Sequence, residues 1–236
     1  MPCACNSLRG GTLSLDGRRA CPYNLSLMRG EKQQLQHCSW ELHMISAILL
    51  AAGESRRMGE FKQLLRLGDK SFVEHCVDNL LASRVDEVIV VTGHRESEVR
   101  RSIGDRPVRF AHNAAYQSGM TSSIKCGVQA VAENTRACVL ALVDQPQIGA
   151  DLINRVIETY EEAPTIIVIP TYEGKNGHPI LLDMSLKEEI LSMDPEQSLR
   201  QVVRAHPDQV AWVEVSSRAV LEDCDLPEDY ERMLKH

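Results

Sequence analysis

Aromatic residues are scarce in this sequence. They account for 4% of its 236 residues, so aliphatic side chains must form the core. Basic residues are also in deficit, because the formal net charge is −7. A general nucleic-acid binder needs a broad basic surface to neutralise many phosphates, so the charge argues against that class. Any site for a phosphate must therefore be local.

The sequence also has no long apolar run. None reaches the roughly 18 residues that indicate a membrane span, and the first residues contain no apolar core of a secretory signal. Hydrophobic residues make up 43% and charged residues 25%, which is typical of a globular domain. We therefore expect a cytoplasmic protein that binds neither nucleic acid nor membranes.

Residues 1–43 lack a sustained hydrophobic period. They contain four of the eight cysteines, whose spacing fits no zinc pattern and which we interpret as unpaired thiols. We predict that residues 1–43 form a disordered extension and that residues 44–236 form one domain. Met44 stands directly before the first predicted strand, so it is one candidate for the start of the working chain.

Strand-like and helix-like segments alternate after residue 44. The predicted strands are residues 45–50, 87–92, 108–111, 138–143, 165–169, 179–182 and 210–215. The predicted helices are residues 71–84, 96–103, 121–132, 151–160, 186–191 and 198–205, with a last one beginning near residue 227. This alternation predicts an α/β fold, a single three-layer Rossmann-like domain with a mostly parallel sheet. Ligands of such sheets bind beyond the carboxyl ends of the strands.

The most constrained stretch reads ISAILLAAGESRRMGEFK, residues 45–62. A buried strand leads into Ala51, Ala52 and Gly53, which remove side-chain bulk where the backbone must approach a ligand. Arg57 and Lys62 then supply fixed positive charge, as a phosphate-binding loop requires. The stretch contains neither GxGxxG nor GxxxxGK[ST], so a turn that binds nothing is the alternative.

Polar residues follow other predicted strands at the same edge of the sheet. Asp144 comes directly after an apolar strand, where a carboxylate suits a hard cation such as Mg²⁺; a helix cap is the alternative. Thr92 and Gly93 end another strand. The segment GMTSSIK, residues 119–125, begins a predicted helix whose N–H groups and serines suit a nucleotide; simple N-capping is the alternative.

The pattern LAAGxSxRMGxxK, whose fixed positions are all present in residues 50–62, resembles the signature of the MobA/MocA-like nucleotidyltransferases. These enzymes attach a nucleotide to the molybdenum cofactor. The resemblance implies a GT-A-like nucleotidyltransferase domain with catalytic roles for Arg57, Lys62 and Asp144. It implies nucleotide contacts from Leu50, Ala51, Ala52, Gly53, Ser55, Arg57, Lys62, Thr92, Gly93, Ser122 and Ser123. LAAG is most similar to the cytidylyltransferase branch, because guanylyltransferases tend to carry LAGG.

The same resemblance implies the metal ligands. Family members carry a metal-binding aspartate where the motif LVDQP places Asp144. A DxDxPxD-like segment brings a second carboxylate to the metal; Asp225 is the better match in this sequence, with Asp223 as the alternate. Leu226 stands where the family usually has threonine, which makes the second ligand a looser match than the first.

The acceptor side and the reaction also follow from the resemblance. A GHP turn near the family's substrate side matches residues 177–179, so His178 and Pro179 are expected to contact the acceptor. The implied reaction is Mg²⁺-dependent transfer of CMP from CTP to the phosphate of a molybdopterin-type cofactor, with a recipient molybdoenzyme as candidate partner. The alternatives are a nucleotidyltransferase for a sugar or polyol phosphate and a non-catalytic cofactor carrier. A carrier would not need a metal and triphosphate set.

Overall fold

The computed structural model describes residues 44–235. The predicted extension and the interpretation of its cysteines lie outside the described residues. The strands are β1 (Met44–Leu50), β2 (Arg66–Leu67), β3 (Lys70–Ser71), β4 (Glu87–Thr92), β5 (Arg109–His112), β6 (Thr135–Leu142), β7 (Ile167–Tyr172), β8 (Lys175–Asn176), β9 (Ile180–Asp183) and β10 (Val210–Glu214). The helices are α1 (Phe72–Leu81), α2 (Glu96–Ile103), α3 (Met120–Ala130), α4 (Ala150–Glu162), α5 (Lys187–Ser192), α6 (Leu199–Ala205) and α7 (Pro227–Met233).

The main sheet has the strand order β10-β7-β9-β6-β1-β4-β5, and β8 pairs with β7. Strands β6, β1, β4 and β5 run parallel, and so do β7 and β10. Strand β9 is antiparallel to both of its neighbours. The predicted mostly parallel sheet is therefore confirmed, with one reversed strand near its middle.

Strand β1 lies inside the sheet, between β6 and β4, as expected of a strand whose side chains are nearly all apolar and buried. Its one polar residue, Ser46, is fully buried and satisfied. The Ser46 hydroxyl lies 2.9 Å from the hydroxyl of Thr135 and donates to Glu87 at 3.0 Å. Burying the Ser46 hydroxyl costs little free energy, because it has hydrogen-bond partners on both neighbouring strands. Ser46 therefore does not interrupt β1.

Alternate residues of β1 face opposite sides of the sheet. Ala47 and Leu49 belong to a core cluster that contains residues of α1, α2 and α4. Ile48 and Leu50 belong to a second cluster, formed with α3, α5 and α6. Helices thus cover both faces, which confirms the predicted three-layer arrangement. None of the helices within residues 44–235 has the length and apolar character needed to cross a bilayer.

The hairpin of β7 and β8 turns at Glu173 and Gly174, which both have positive φ angles of 49° and 73°. Strand β9 then returns between β6 and β7. The small sheet of β2 and β3 was not predicted, because strands of two residues leave no period in a sequence.

Candidate active site

A cleft of about 340 Å³ opens at the carboxyl edge of the sheet, beyond β1 and β6. It is formed by the loop after β1 (residues 51–63, the signature loop), the N-terminus of α3, the end of β6 and the segment before α7. The lining residues are Leu50, Ala52, Gly53, Ser55, Arg56, Arg57, Lys62, Gln63, Tyr116, Gly119, Met120, Ser123, Leu142, Val143, Asp144 and Asp225. This is the edge at which open α/β sheets bind ligands.

Gln63 holds the signature loop in one shape. Its buried side-chain amide donates to the carbonyls of Ala51, at 3.0 Å, and Gly53, at 2.8 Å. Its Oε1 accepts from the Ser55 hydroxyl at 3.1 Å, and that hydroxyl accepts from the Lys62 N–H at 3.0 Å. Gln63 was not predicted as a site residue, because the sequence around a glutamine beside a signature lysine does not show which carbonyls the side chain reaches.

Lys62 places its charge between two acidic side chains. Its Nζ lies 2.9 Å from Asp144 Oδ2 and 2.6 Å from Asp225 Oδ1. Arg57 contacts the other oxygen of Asp225, with 2.6 Å between Nη2 and Oδ2. The Lys62 side chain is 11% exposed and that of Arg57 is 73% exposed, so Lys62 lies deep in the cleft and Arg57 at its mouth.

These contacts shift the pKa values of the charged groups. Burial lowers the pKa of Lys62, but the carboxylates of Asp144 and Asp225 outweigh burial and the net shift is upward. Burial raises the pKa of Asp225, but the hydrogen bond from Lys62 and the charge of Arg57 outweigh it and the net shift is downward. Burial and the charge of Asp144 raise the pKa of Asp223. Lys62 and Asp225 are therefore both charged at neutral pH.

The acidic segment, residues 222–229, is held to the end of β6 by residues distant in sequence. The Cys224 N–H donates to the Asp144 carbonyl at 3.0 Å. The buried Gln145 donates from its side-chain amide to Asp223 Oδ1 at 2.8 Å. These bonds bring the second carboxylate of the cleft next to the first. Gln145 lies within the motif LVDQP, but the motif alone does not reveal this partner.

Asp144 and Asp225 fit a divalent cation. Asp144 Oδ1 is buried and has no hydrogen-bond partner among residues 44–235, and burying an unsatisfied polar atom is costly. Residues 44–235 contain no group of three or more His, Cys, Asp or Glu side chains placed to hold a metal. Two carboxylates suffice for Mg²⁺, because it keeps several waters and takes substrate phosphates as further ligands.

The N-terminus of α3 supplies one of the two predicted serines. Ser123 lines the cleft and Ser122 does not. The buried Asn113 donates from its side-chain amide to the hydroxyls of Ser122, at 2.8 Å, and Ser123, at 3.0 Å. The Ser122 hydroxyl donates to the Gly119 carbonyl at 2.7 Å, a local bond that differs from the N-capping considered as the alternative, because the N-cap residue of α3 is Gly119. Asn113 was not predicted, because it precedes the helix by several residues.

Three predicted nucleotide contacts lie behind the cleft wall. Ala51 and Thr92 are fully buried and do not line the cleft. A Cβ atom added to Gly93 would lie 2.8 Å from the Cβ of Tyr116 and 2.9 Å from the carbonyl of Ala52. Gly93 therefore allows Tyr116, which does line the cleft, to pack against the signature loop. These three residues shape the wall from behind.

His178 and Pro179 also lie outside the cleft lining. The His178 N–H donates to the carbonyl of Val220 at 3.1 Å. Burial lowers the pKa of His178, and the nearby charge of Asp144 opposes that shift. Pro179 instead lines a small separate cavity with Leu142 and other apolar residues. The turn is thus close to the carboxylates and apart from the nucleotide side of the cleft.

Several known proteins are similar to this chain. Molybdenum cofactor cytidylyltransferase of Escherichia coli (strain K12) is 27% identical over 187 residues, which are 79% of this chain and 93% of that protein. A nucleotidyl transferase from Methanothermobacter thermautotroptrophicus superposes with a TM-score of 0.71 at 27% identity, over 82% of this chain and 97% of its own. The manganese complex of Rv0371C from Mycobacterium tuberculosis superposes with a TM-score of 0.70 at 23% identity, over 82% and 99%.

A family model also matches most of the chain. The model of the MobA-like NTP transferase domain covers residues 47–210, a span that begins in β1 and ends at the start of β10. It includes the signature loop, the N-terminus of α3 and the end of β6, which together form most of the cleft. The chain belongs to the MobA-like NTP transferase family and is a nucleotidyltransferase.

Proposed function

We propose that this protein transfers CMP from CTP to the phosphate of a molybdopterin-type cofactor and releases pyrophosphate. The observation that carries the proposal is the juxtaposition of two cations, Arg57 and Lys62, with two carboxylates, Asp144 and Asp225. Such a set suits a metal-bound triphosphate, whose transfer depends on positioning and charge stabilisation. The similarity to a molybdenum cofactor cytidylyltransferase supports the choice of nucleotide and acceptor.

The metal in this proposal is Mg²⁺, held by Asp144 and Asp225. When bound, it shields the triphosphate charge and stabilises the departing pyrophosphate. The buried, partnerless Oδ1 of Asp144 supports this assignment, because a metal would satisfy it. Asp223, the alternate ligand, lies near these two carboxylates and accepts a hydrogen bond from Gln145. We therefore do not assign it to the metal.

The cationic side chains bind and orient the triphosphate. Lys62, deep in the cleft, contacts phosphate oxygens near the carboxylates, and Arg57 contacts those nearer the mouth. The acceptor phosphate has a second pKa of about 6, so it is mostly ionised at neutral pH and its attack needs no general base. We propose His178 and Pro179 as the acceptor turn beside the cleft: His178 lies near the charge of Asp144, and Pro179, which lines the separate apolar cavity, is the less direct contact of the two.

The preference for CTP rests on the apolar wall of the cleft. Leu50, Ala52 and Leu142 line it, and the Ala52 methyl group reduces the room for a purine. We expect CTP to outcompete GTP, and Ala52→Gly to reduce the ratio of the two kcat/KM values by about tenfold, as for one methyl group in a pocket. Equal use of both nucleotides by the unmodified protein would remove this part of the proposal.

The decisive experiment measures Mg²⁺-dependent pyrophosphate release with CTP, GTP or ATP, with and without molybdenum cofactor. Release with CTP and cofactor together supports the whole proposal. Release only with sugar phosphates or polyol phosphates would overturn the acceptor and leave nucleotidyl transfer standing. If the protein binds the cofactor tightly but releases no pyrophosphate with any acceptor, a carrier is favoured instead.

The remaining expectations concern the setting of the protein. We propose that it acts in the cytoplasm, that residues 1–43 are an extension outside the nucleotidyltransferase domain, and that the product passes to a recipient molybdoenzyme. Cell fractionation tests the first point. Limited proteolysis with mass spectrometry tests the second, and a protected segment before Met44 would contradict it. Co-purification with a molybdoenzyme tests the third.

A further inference from the structure

We infer that Lys62 is a resident counter-cation of the Asp144 and Asp225 carboxylates, and that a divalent metal binds tightly only when a nucleotide triphosphate draws Lys62 away from them. The inference rests on the proposed function, because it takes the same two carboxylates as metal ligands. It adds an order of events: metal and triphosphate bind as coupled ligands, and neither is a permanent part of the resting protein.

The position of the ammonium group carries the inference. Lys62 Nζ contacts one oxygen of Asp144 and one of Asp225, at 2.9 and 2.6 Å. A metal shared by both carboxylates competes with the ammonium for these oxygens, and two cations held so close repel each other. Metal binding therefore requires that Lys62 change partners. The lysine side chain is 11% exposed, so water screens this competition only weakly.

The structure lets the ammonium move while the backbone stays in place. The Lys62 N–H donates to the Ser55 hydroxyl, and Gln63 ties that hydroxyl to the carbonyls of the signature loop. The loop is thus fixed independently of the lysine side chain. Four carbons with rotatable bonds separate the fixed backbone from Nζ. A rotamer change can carry the charge from the carboxylates to a phosphate without remodelling the loop.

A triphosphate supplies the alternative partner. The cleft that Lys62 lines is also lined by Arg57 and the small residues of the signature loop, so a phosphate bound there lies within reach of the ammonium. Once Lys62 contacts phosphate, Asp144 has lost its cation partner and Asp225 keeps only Arg57, at the mouth of the cleft. Coupling of this kind is reciprocal: the nucleotide raises the affinity for metal by the same factor by which the metal raises the affinity for nucleotide.

The test measures Mn²⁺ affinity directly, by electron paramagnetic resonance of free Mn²⁺ at pH 8. Wild type is compared with Lys62→Met, which removes the charge and keeps an apolar stem, with and without CTP and in the absence of any acceptor. Mn²⁺ bound by free CTP is measured separately and subtracted. Lys70→Met is the matched control, because Lys70 forms an ion pair of 2.9 Å with Asp78 outside the cleft lining. Asp144→Asn reports whether the carboxylates are the ligands.

We expect wild type to bind Mn²⁺ at least about tenfold more tightly with CTP than without it. Lys62→Met should bind Mn²⁺ about tenfold more tightly than wild type when CTP is absent, and Lys70→Met should match wild type. Equal affinities of wild type and Lys62→Met without CTP, with binding lost in Asp144→Asn, would overturn the inference and leave the proposed metal site intact. Unchanged Mn²⁺ binding in Asp144→Asn, or none by wild type with CTP, would overturn the metal site itself.

Folding of the variant is checked by thermal denaturation. If Lys62→Met does not fold, Lys62→Gln replaces it, because glutamine keeps a hydrogen-bond donor for the carboxylates and carries no charge. The same tenfold gain without CTP is expected of it. In addition, an affinity of wild type for Mn²⁺ that does not change on adding CTP would overturn the inference without any variant.

Discussion

The two segments that bring charge to the cleft are positioned in different ways. The signature loop is held from within, because Gln63 and Ser55 bond to groups at most 12 residues away. The acidic segment is held from outside, since Gln145 reaches Asp223 across 78 positions of the sequence. The first arrangement depends on a short stretch of sequence and the second on the whole sheet. Substitutions in the two segments should therefore fail differently.

Asp144 contacts both segments, through Lys62 in the signature loop and Cys224 in the acidic segment, so its substitution should have the largest effect. Asp144→Asn keeps the size of the side chain and removes the charge that would hold the metal. We expect kcat/KM to fall by about a thousandfold, the loss of about 4 kcal/mol of transition-state stabilisation. Steady-state pyrophosphate release measures it, and circular dichroism checks that the fold survives. A variant with activity within threefold of wild type would contradict the assigned role.

Gln63→Ala breaks the internal support of the signature loop. It leaves the buried carbonyl of Ala51 without its partner, while water can reach the carbonyl of Gly53 and the hydroxyl of Ser55, so we expect a loss of about 1–2 kcal/mol in the free energy of unfolding. Because the loop also positions Lys62, kcat/KM for CTP should fall about thirtyfold. Urea denaturation and steady-state kinetics measure the two effects. Full stability combined with full activity would show that the loop does not depend on this glutamine.

Gln145→Ala breaks the external support of the acidic segment. Two hydrogen bonds of its side-chain amide are lost, one to Asp223 and one to the carbonyl of Val220, so we expect a cost of about 1–3 kcal/mol in the free energy of unfolding. Affinity for Mn²⁺ in the presence of CTP should fall about tenfold, while the KM for CTP changes less than in Gln63→Ala. The two variants would then show that the acidic segment mainly affects metal affinity and the signature loop mainly affects nucleotide binding. Equal losses of both in the two variants would mean that the segments act as one unit.

The smallest effects should come from the charges of the acidic segment in chelator-treated protein. The folded state lowers the pKa of Asp225, so its charge stabilises the fold above the unfolded pKa of about 4, and this contribution is lost as the pH falls through the folded pKa. The folded state raises the pKa of Asp223, so its ionisation costs stability at neutral pH. At pH 7, Asp225→Asn should lower the free energy of unfolding and Asp223→Asn should raise it, each by less than about 1 kcal/mol, which thermal denaturation records as Tm shifts of opposite sign. Shifts of the same sign would contradict this.

The fold and much of the cleft could be predicted from the sequence because their signals are local. The apolar run before Gly53 indicated a buried strand, and the charge of Arg57 and Lys62 after it indicated a phosphate loop. Asp144 was identifiable because it follows an apolar strand directly. The resemblance located Asp225, and the fold shows how Cys224 brings it there.

Other features could not be predicted because they depend on contacts between distant segments. Asn113 reaches the serines of α3 from the end of β5, and Tyr116 lines the cleft because Gly93 leaves room for it. Thr92 and Gly93 lie at the end of β4, at the edge of the sheet where the cleft opens, yet neighbouring residues cover them. A sequence shows that a residue stands at a strand end, and the packing of the next segment decides whether it reaches the ligand.

The reversed strand β9 has a consequence for how this scaffold could be altered. Because β9 runs against β6, its first residue, Ile180, pairs with Leu140 near the end of β6, and the hairpin before it arrives at the same edge as the cleft. Residues 173–179 thus form a short connection whose two ends are fixed by β7 and β9. Because we propose that His178 contacts the acceptor, exchanging this stretch for that of another nucleotidyltransferase should change the molecule that receives the nucleotide, while the chemistry of transfer and the architecture beneath it stay as they are.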